Sequence, residues 1–150
     1  MSGRMHINKK HSLRLASEDD KEFVYQTIKS GDFQYIDEIW GWDEAKQRSL
    51  FDTEFNTENV YVIMFDEKSV GFCQIIRTNR IYICELHLSS KFRGLGIGSS
   101  VLAEIITEGK SAGLPVYIGC FKNIIRARRL YEKIGFSLIG ETETHYELKL

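Results

Sequence analysis

No apolar run in this sequence exceeds six residues, Val60 to Phe65. A membrane-spanning helix needs roughly 18 or more, so no such span is expected. The opening MSGRMHINKKHSLR lacks the apolar stretch of a signal peptide, which makes a cytoplasmic location the expectation. Charge excess is also missing. Twenty Lys and Arg against 21 Asp and Glu leave a net charge of -1. That gives no bulk attraction to nucleic acid or to anionic membranes, and any basic site must be local. Cysteine is scarce and odd in number. Cys73, Cys84 and Cys120 lie far apart in apolar surroundings and read as buried free thiols, not as a disulfide framework or a zinc site. Internal repeats, low-complexity segments and linkers are absent. The 150 residues suit a single domain with a real core.

Residues 1–11 are polar and read as a flexible N-terminal segment, leaving 12–150 as the folded domain. Leu13 and Leu15 alternate with polar residues in a short strand. Ser17 and Asp20 offer N-caps for a helix through about Lys29, ended by Gly31. Phe33, Tyr35, Trp40 and Trp42 then fall in a loop, and Asp43 caps a second helix through Phe51 or Phe55. Val60–Phe65 and Val70–Arg77 form a hairpin across Asp66–Ser69, and Ile81–Ser89 is a further strand. From Gly96 to Gly109 the apolar residues Ile97, Val101, Leu102, Ile105 and Ile106 mark one helical face. Val116–Cys120 is a buried strand, Asn123–Lys133 a helix closed by Gly135, and 136–140 and 144–148 are the last strands. The order is strand, two helices, three strands, helix, strand, helix, two strands. It describes an α/β fold with a mixed sheet of six to seven strands and about four helices. The helix from Gly96 is a crossover, so Ile81–Ser89 and Val116–Cys120 should run parallel.

The segment KFRGLGIGSS carries glycine at 94, 96 and 98, between Arg93 and Ser99–Ser100. A strand that passes through a glycine-rich turn into a helix leaves several backbone N–H groups aimed at one place. The helix dipole makes that end positive, and glycine admits close approach of an anion such as a pyrophosphate. Arg93 can add a charge-assisted hydrogen bond and a serine a hydroxyl. A nucleotide P-loop is excluded because no lysine follows Gly98. The dinucleotide fingerprint is excluded because its third glycine would fall on Ser99 or Val101.

Two motifs now resemble one family. Arg93-Gly94-Leu95-Gly96-Ile97-Gly98 is similar to the (Gln/Arg)-x-x-Gly-x-(Gly/Ala) motif of the GNAT superfamily of N-acetyltransferases. Arg126-Ala127-Arg128-Arg129-Leu130-Tyr131-Glu132-Lys133-Ile134-Gly135-Phe136 resembles its RAxxLYEKxGF segment. The element order agrees from about residue 12 to 150. The resemblance implies a mostly antiparallel sheet that splays at its central parallel pair. Acetyl-CoA would lie in that opening, its pyrophosphate against Arg93, Gly94, Leu95, Gly96, Ile97, Gly98 and Ser99, and its pantetheine arm beside residues 86–89, with Leu88 and Ser89 as neighbours. No metal is expected. Where members often carry Asn, this chain has Ile124, with Asn123 one residue earlier. Asn123 is thus either a cofactor contact or a helix cap.

Acetyl transfer to an amine needs a base, a donor for the carbonyl oxygen and a proton for the departing thiolate. Tyr131 stands at the position of the family's general-acid tyrosine, and its other reading is a packed core aromatic. Glu85 and His87 alternate on one strand and share a face, which makes them the base candidates. The aromatics at 33, 35, 40 and 42 suggest either an acceptor box or core plugs. Asp37, Glu38, Asp43 and Glu44 nearby would favour a cationic acceptor if they faced the cleft, and otherwise form a solvated face. Arg126 could approach the adenosine phosphate. The function so implied is an N-acetyltransferase acting on a primary amine of a small molecule or a protein. A non-catalytic acyl-CoA-binding module is the alternative, and nucleic-acid binding through the arginine run is disfavoured by the charge balance. Many members dimerise, so a homodimer is an expectation that no residue here decides.

Overall fold

In the computed structural model, which describes residues 10–150, seven strands form one sheet in the order β1-β2-β3-β4-β5-β7-β6. The strands are β1 (His11–Leu15), β2 (Val60–Phe65), β3 (Lys68–Arg77), β4 (Ile81–Leu88), β5 (Val116–Phe121), β6 (Ser137–Glu141) and β7 (His145–Lys149). The helices are α1 (Lys21–Trp40), α2 (Glu44–Glu54), α3 (Ile97–Ala112) and α4 (Ile125–Ile134). All neighbouring strands are antiparallel except β4 and β5. The flexible segment expected at 1–11 falls outside the described residues up to position 9, and His11 already pairs with Phe65 in β1.

Each face of the sheet has its own apolar core. Ile97, Val101, Leu102 and Ile105 of α3 pack with Ile81, Ile83, Ile118 and Leu148 of the sheet, so the helical stripe read from Ile97 onward is the buried one. On the opposite face Val24 and Tyr25 of α1 and Phe51 of α2 pack on Val60, Val62 and Phe72. Asp43 caps α2, its carboxylate accepting from the Lys46 amide at 3.0 Å.

Three local expectations are corrected. The hairpin turn is only Asp66–Glu67, both at positive φ, so β3 starts at Lys68. Gly31 does not end the first helix, because α1 runs on to Trp40. Phe33, Tyr35 and Trp40 are consequently helical, not loop, residues.

Two irregularities in the sheet create the functional geometry. The parallel ladder between β4 and β5 covers only Ile81–Val116, Tyr82–Tyr117 and Ile83–Ile118. Beyond it the strands part. At the same place β4 carries a bulge against β3: Ile75 pairs with Ile83 but Gln74 with Glu85, leaving Cys84 as the extra residue. The bulge resets the alternation, so Ile81, Ile83, Leu86 and Leu88 all serve the α3 core, while Glu85 and His87 face α1.

Candidate active site

The gap between β4 and β5 opens into a cleft of about 860 Å³. The glycine loop and the start of α3 form one end, β5 and α4 one wall, and Gly31 and Asp32 of α1 the other. Past the bulge, strand alternation fixes which backbone groups meet this space. The Ser89 amide donates to Val70 O of β3 at 2.8 Å, so the polar groups of Leu88, one residue earlier, point away from β3 toward the cleft.

Gly94 and Gly96 have φ of 74° and 83°, the left-handed region that only glycine enters without strain. Gly98 lies inside α3, where a Cβ would meet nothing closer than Leu88 Cδ1 at 3.8 Å. Its role is to leave the backbone bare to the cleft it lines. No side chain caps α3 at this end, so its first N–H groups stay free to bind an anion. The loop is thus preformed and electropositive.

Arg93 takes an unexpected course. Its Nε donates to Leu88 O at 3.1 Å, and its Nη2 lies beside Gly31, 3.4 Å from where a Cβ would stand. The guanidinium therefore bridges the glycine loop, β4 and α1. Gly31 gives the reason for a mid-helix glycine: a Cβ there would also come 3.2 Å from His87 Nδ1. The helix gives up roughly 1 kcal/mol of propensity so that its backbone can lie against these two side chains.

Glu85 and His87 meet as their alternation implied, with His87 Nε2 2.5 Å from Glu85 Oε2. Phe72, the cross-strand neighbour of His87, stacks on its ring at a centroid distance of 5.3 Å. On the other side, His87 Nδ1 is 3.9 Å from Asp32 Oδ1. Burial would lower the imidazole pKa, but the Glu85 and Asp32 carboxylates outweigh it and the net shift is upward. Asp32 is only 4% exposed. Burial pushes its carboxyl up to about 6, with His87 pulling the other way.

Across the cleft Tyr131 is buried against the α3 core and edge-on to Phe136, yet it also lines the cavity. The packing reading describes its ring, and the same side chain borders the cleft. Burial raises its phenol, helped by Cys120 and Glu85, and its hydroxyl finds no hydrogen-bond partner among the described residues. Farther along, Tyr82 donates to the Glu147 carboxylate, 2.9 Å from each oxygen, beside Gly119.

Of the residues singled out by sequence, Glu85, His87, Leu88, Arg93, Gly94, Gly96, Ile97, Gly98, Ser99, Arg126 and Tyr131 line the cleft. Ser89, Leu95 and Asn123 do not. Ser89 turns its amide to β3, Leu95 is 64% exposed, and Ile124 takes the lining position next to Asn123. Nor does Asn123 cap α4: the cap position is Ile124, without a side-chain bond, and the buried Asn123 Oδ1 has no partner.

The aromatics at 33, 35, 40 and 42 and the acids at 37, 38, 43 and 44 are not among the residues that line the cleft. Phe33 packs on Trp42 at 5.2 Å, and Trp42 Nε1 donates to Glu44. Glu44 also receives the Tyr25 hydroxyl and pairs with Lys29. Asp37 accepts from the Trp42 amide. These residues fasten α1 to α2 and form no box in the cavity. Gly31, Asp32, Tyr82 and Glu147 were not found by sequence reasoning. Asp32 could have been, since it follows Tyr25 by seven residues and precedes Ile36 by four, on the buried stripe of a helix continued through Gly31.

Comparison with known proteins agrees with this architecture. The model of the acetyltransferase (GNAT) family matches residues 22–136. A search of curated protein sequences finds no match. The PaiA N-acetyltransferase of Thermoplasma acidophilum, solved with coenzyme A, superposes with a TM-score of 0.73 at 16% identity, over 93% of this chain and 98% of that one. An N-acetyltransferase of Staphylococcus aureus gives 0.72 at 13% identity, over 93% and 100%. A GNAT-family acetyltransferase of Bacillus anthracis gives 0.69 at 18%, over 94% of each chain. At these identities the structural likeness speaks for the fold.

Proposed function

The chain belongs to the acetyltransferase (GNAT) family, and from that premise we propose that residues 12–150 are an N-acetyltransferase domain that moves the acetyl group of acetyl-CoA to a primary amine. The observation that carries the reading is the convergence on one cleft of an anion-ready loop, a carboxylate–imidazole pair and an unpartnered phenol.

The residues present suit the cofactor. Gly94 and Gly96 are open on the side where a Cβ would project, with nothing within 4 Å, and the uncapped start of α3 offers N–H groups to phosphate oxygens. Gly98 and Ser99 continue that surface, and Ile97 anchors it in the core. The Leu88 amide faces the cleft at strand spacing, ready for an extended amide-bearing chain. Arg126 and the remaining N–H groups of Arg93 supply positive charge. When bound, acetyl-CoA supplies an activated acyl thioester.

The chain's own groups then manage protons. A primary amine is protonated at neutral pH and must lose a proton before it can attack. Glu85 accepts that proton, directly or through His87, whose Nε2 it touches. Tyr131 Oη holds its proton tightly in its buried setting and delivers it to the departing sulfur. The reading places the enzyme in the cytoplasm, in keeping with a described chain that has no helix long and apolar enough to cross a membrane.

Calorimetric titration of acetyl-CoA into the wild type and into Gly96→Glu tests the cofactor site. The substitution puts a side chain at a φ of 83° and a negative charge on the loop. Wild-type binding that disappears in the folded variant is expected. An absence of wild-type binding would overturn the proposal, and binding without turnover of any amine would leave a non-catalytic acyl-CoA module in its place.

A further inference from the structure

We propose that the half of the sheet left open beside the cleft is a docking face for a peptide acceptor, and that it reads an acidic residue about four positions from the reacting amine. The inference rests on the acetyltransferase reading above and deepens it by naming the class of acceptor.

The first observation is the uncovered face. Ile81, Ile83, Ile118 and Leu148 belong to the α3 core, so strand alternation turns Tyr82, Tyr117, Glu147 and Lys149 to the other side. There α1 and α2 pack on β2 and β3, and no residue of β5 or β7 is in the core they form. The open surface is continuous with the cleft, because Tyr82, Gly119 and Glu147 line the cleft as well. Gly119 keeps the step between the two low: a Cβ there would stand 3.1 Å from Tyr82 Oη and 3.3 Å from Glu147 Oε1.

The second observation is charge. Arg80 lies over two rings at once, its guanidinium carbon 4.8 Å from the Tyr82 centroid and 4.7 Å from that of Tyr117. Lys149, the cross-strand neighbour of Tyr117, brings its Nζ to 5.6 Å from the same Tyr117 centroid. Two cations thus converge on one ring, and among the described residues neither side chain has a hydrogen bond or an ion pair. Glu147 is the one carboxylate that β5 and β7 turn to this face. Both its oxygens accept from the Tyr82 hydroxyl, it pairs with neither cation, and the two cations outnumber it. The stacked guanidinium is held in place with its N–H fork unspent, which suits a carboxylate. Arg80 precedes Glu85 by five residues, or roughly 16 Å of strand. The amine and carboxylate of a free amino acid are only about 3 Å apart and cannot reach both places. An extended peptide rises about 3.3 Å per residue and spans the distance in about four to five residues.

The test follows the Tyr117 and His87 rings by NMR with coenzyme A present. The probes are two peptides with a free amino terminus, Gly-Gly-Gly-Gly-Asp and Gly-Gly-Gly-Gly-Asn, each amidated so that they differ only in one carboxylate, and sodium acetate. The Asp peptide should shift both rings saturably, at concentrations roughly fivefold or more below those the Asn peptide needs. Arg80→Gln and Lys149→Gln, both at exposed positions, should each narrow that preference. The double variant should abolish it while coenzyme A affinity stays unchanged. Equal responses to the two peptides in the wild type would overturn the proposal without any variant being needed. So would a preference that survives in the folded double variant, or a response of Tyr117 with none at His87. Acetate acting as strongly as the Asp peptide would also overturn it and leave a bare anion patch. If the wild type fails to bind coenzyme A, the acetyltransferase reading falls and this inference with it, an outcome distinct from coenzyme A binding without discrimination between the peptides.

Discussion

His87 is held between two carboxylates from different elements, its Nε2 2.5 Å from Glu85 Oε2 on its own strand and its Nδ1 3.9 Å from Asp32 Oδ1 on α1. Both carboxylates favour the imidazolium, and they prevail over burial to raise the pKa. In NMR titration the His87 midpoint should exceed the ordinary 6.5 and fall in both Glu85→Gln and Asp32→Asn. The sign for stability follows. With the folded-state value raised, the contribution of this group is complete below about 6.5 and is lost as pH rises through the folded value. A midpoint below 6.5 in the wild type would contradict the arrangement.

Asp32 gives the opposite sign from the usual carboxylate. Its pKa is raised from 3.8 to about 6 chiefly by burial, with His87 pulling it down, Glu85 pushing it up and Arg93 pulling it down. The folded state therefore holds the proton more tightly than the unfolded one. Stability drawn from this group declines as pH rises from about 4 to about 6, by up to ~3 kcal/mol. Urea denaturation of wild type and Asp32→Asn should show the variant gaining on the wild type between pH 4 and pH 7. A difference that is constant across that range would rule out a carboxyl with a raised pKa.

Substitution of Glu85 by Gln keeps the shape and removes the proton acceptor. With an amine that the wild type acetylates, kcat at neutral pH should fall by about 10² to 10⁴. The deficit should shrink at high pH, where solvent deprotonates the amine, and acetyl-CoA binding should hold. Steady-state rates across pH 6 to 10 read this directly, and a uniform deficit at every pH would point to positioning instead.

Removing only the hydroxyl, Tyr131→Phe leaves the ring against Phe136 and the α3 core. Since that hydroxyl has no hydrogen-bond partner among the described residues, thermal stability should change by less than ~1 kcal/mol. Turnover should drop by about 10²-fold if the phenol protonates the leaving sulfur. Stability retained with full turnover would return Tyr131 to a packing role.

Much of this site is legible in the sequence. Three glycines beside Arg93 are expensive in a strand-to-helix turn, and the alternation of Glu85 and His87 survives the bulge because the extra residue, Cys84, precedes both. The α1 wall was not legible. A glycine after ten helical positions looks like a C-terminal cap, and a helix that stops at Gly31 leaves Asp32 off its buried stripe. Only the contact with His87 and Arg93 explains that glycine, and it depends on packing between α1 and β4. Tyr82 and Glu147 are 65 residues apart, and their meeting depends on β4, β5 and β7 lying side by side. The course of Arg93 was hidden for a similar reason, since its partner is a carbonyl freed by the local splay.

The close approach at Gly31 makes the last prediction. Alanine there would gain roughly 1 kcal/mol of helix propensity, but its Cβ would sit 3.2 Å from His87 Nδ1 and 3.4 Å from Arg93 Nη2. Both neighbours are side chains and can yield by a few tenths of an ångström, so Gly31→Ala should fold with near-native stability. Gly31→Val adds two methyl groups in the same place and a branched Cβ disfavoured in helices. It should cost about 1–3 kcal/mol and push His87 from Glu85. Thermal denaturation measures the first effect, and a downward shift of the His87 NMR midpoint the second. If Gly31→Val leaves both unchanged, α1 does not press on the His87–Glu85 pair, and the glycine is a tolerated accident of the helix.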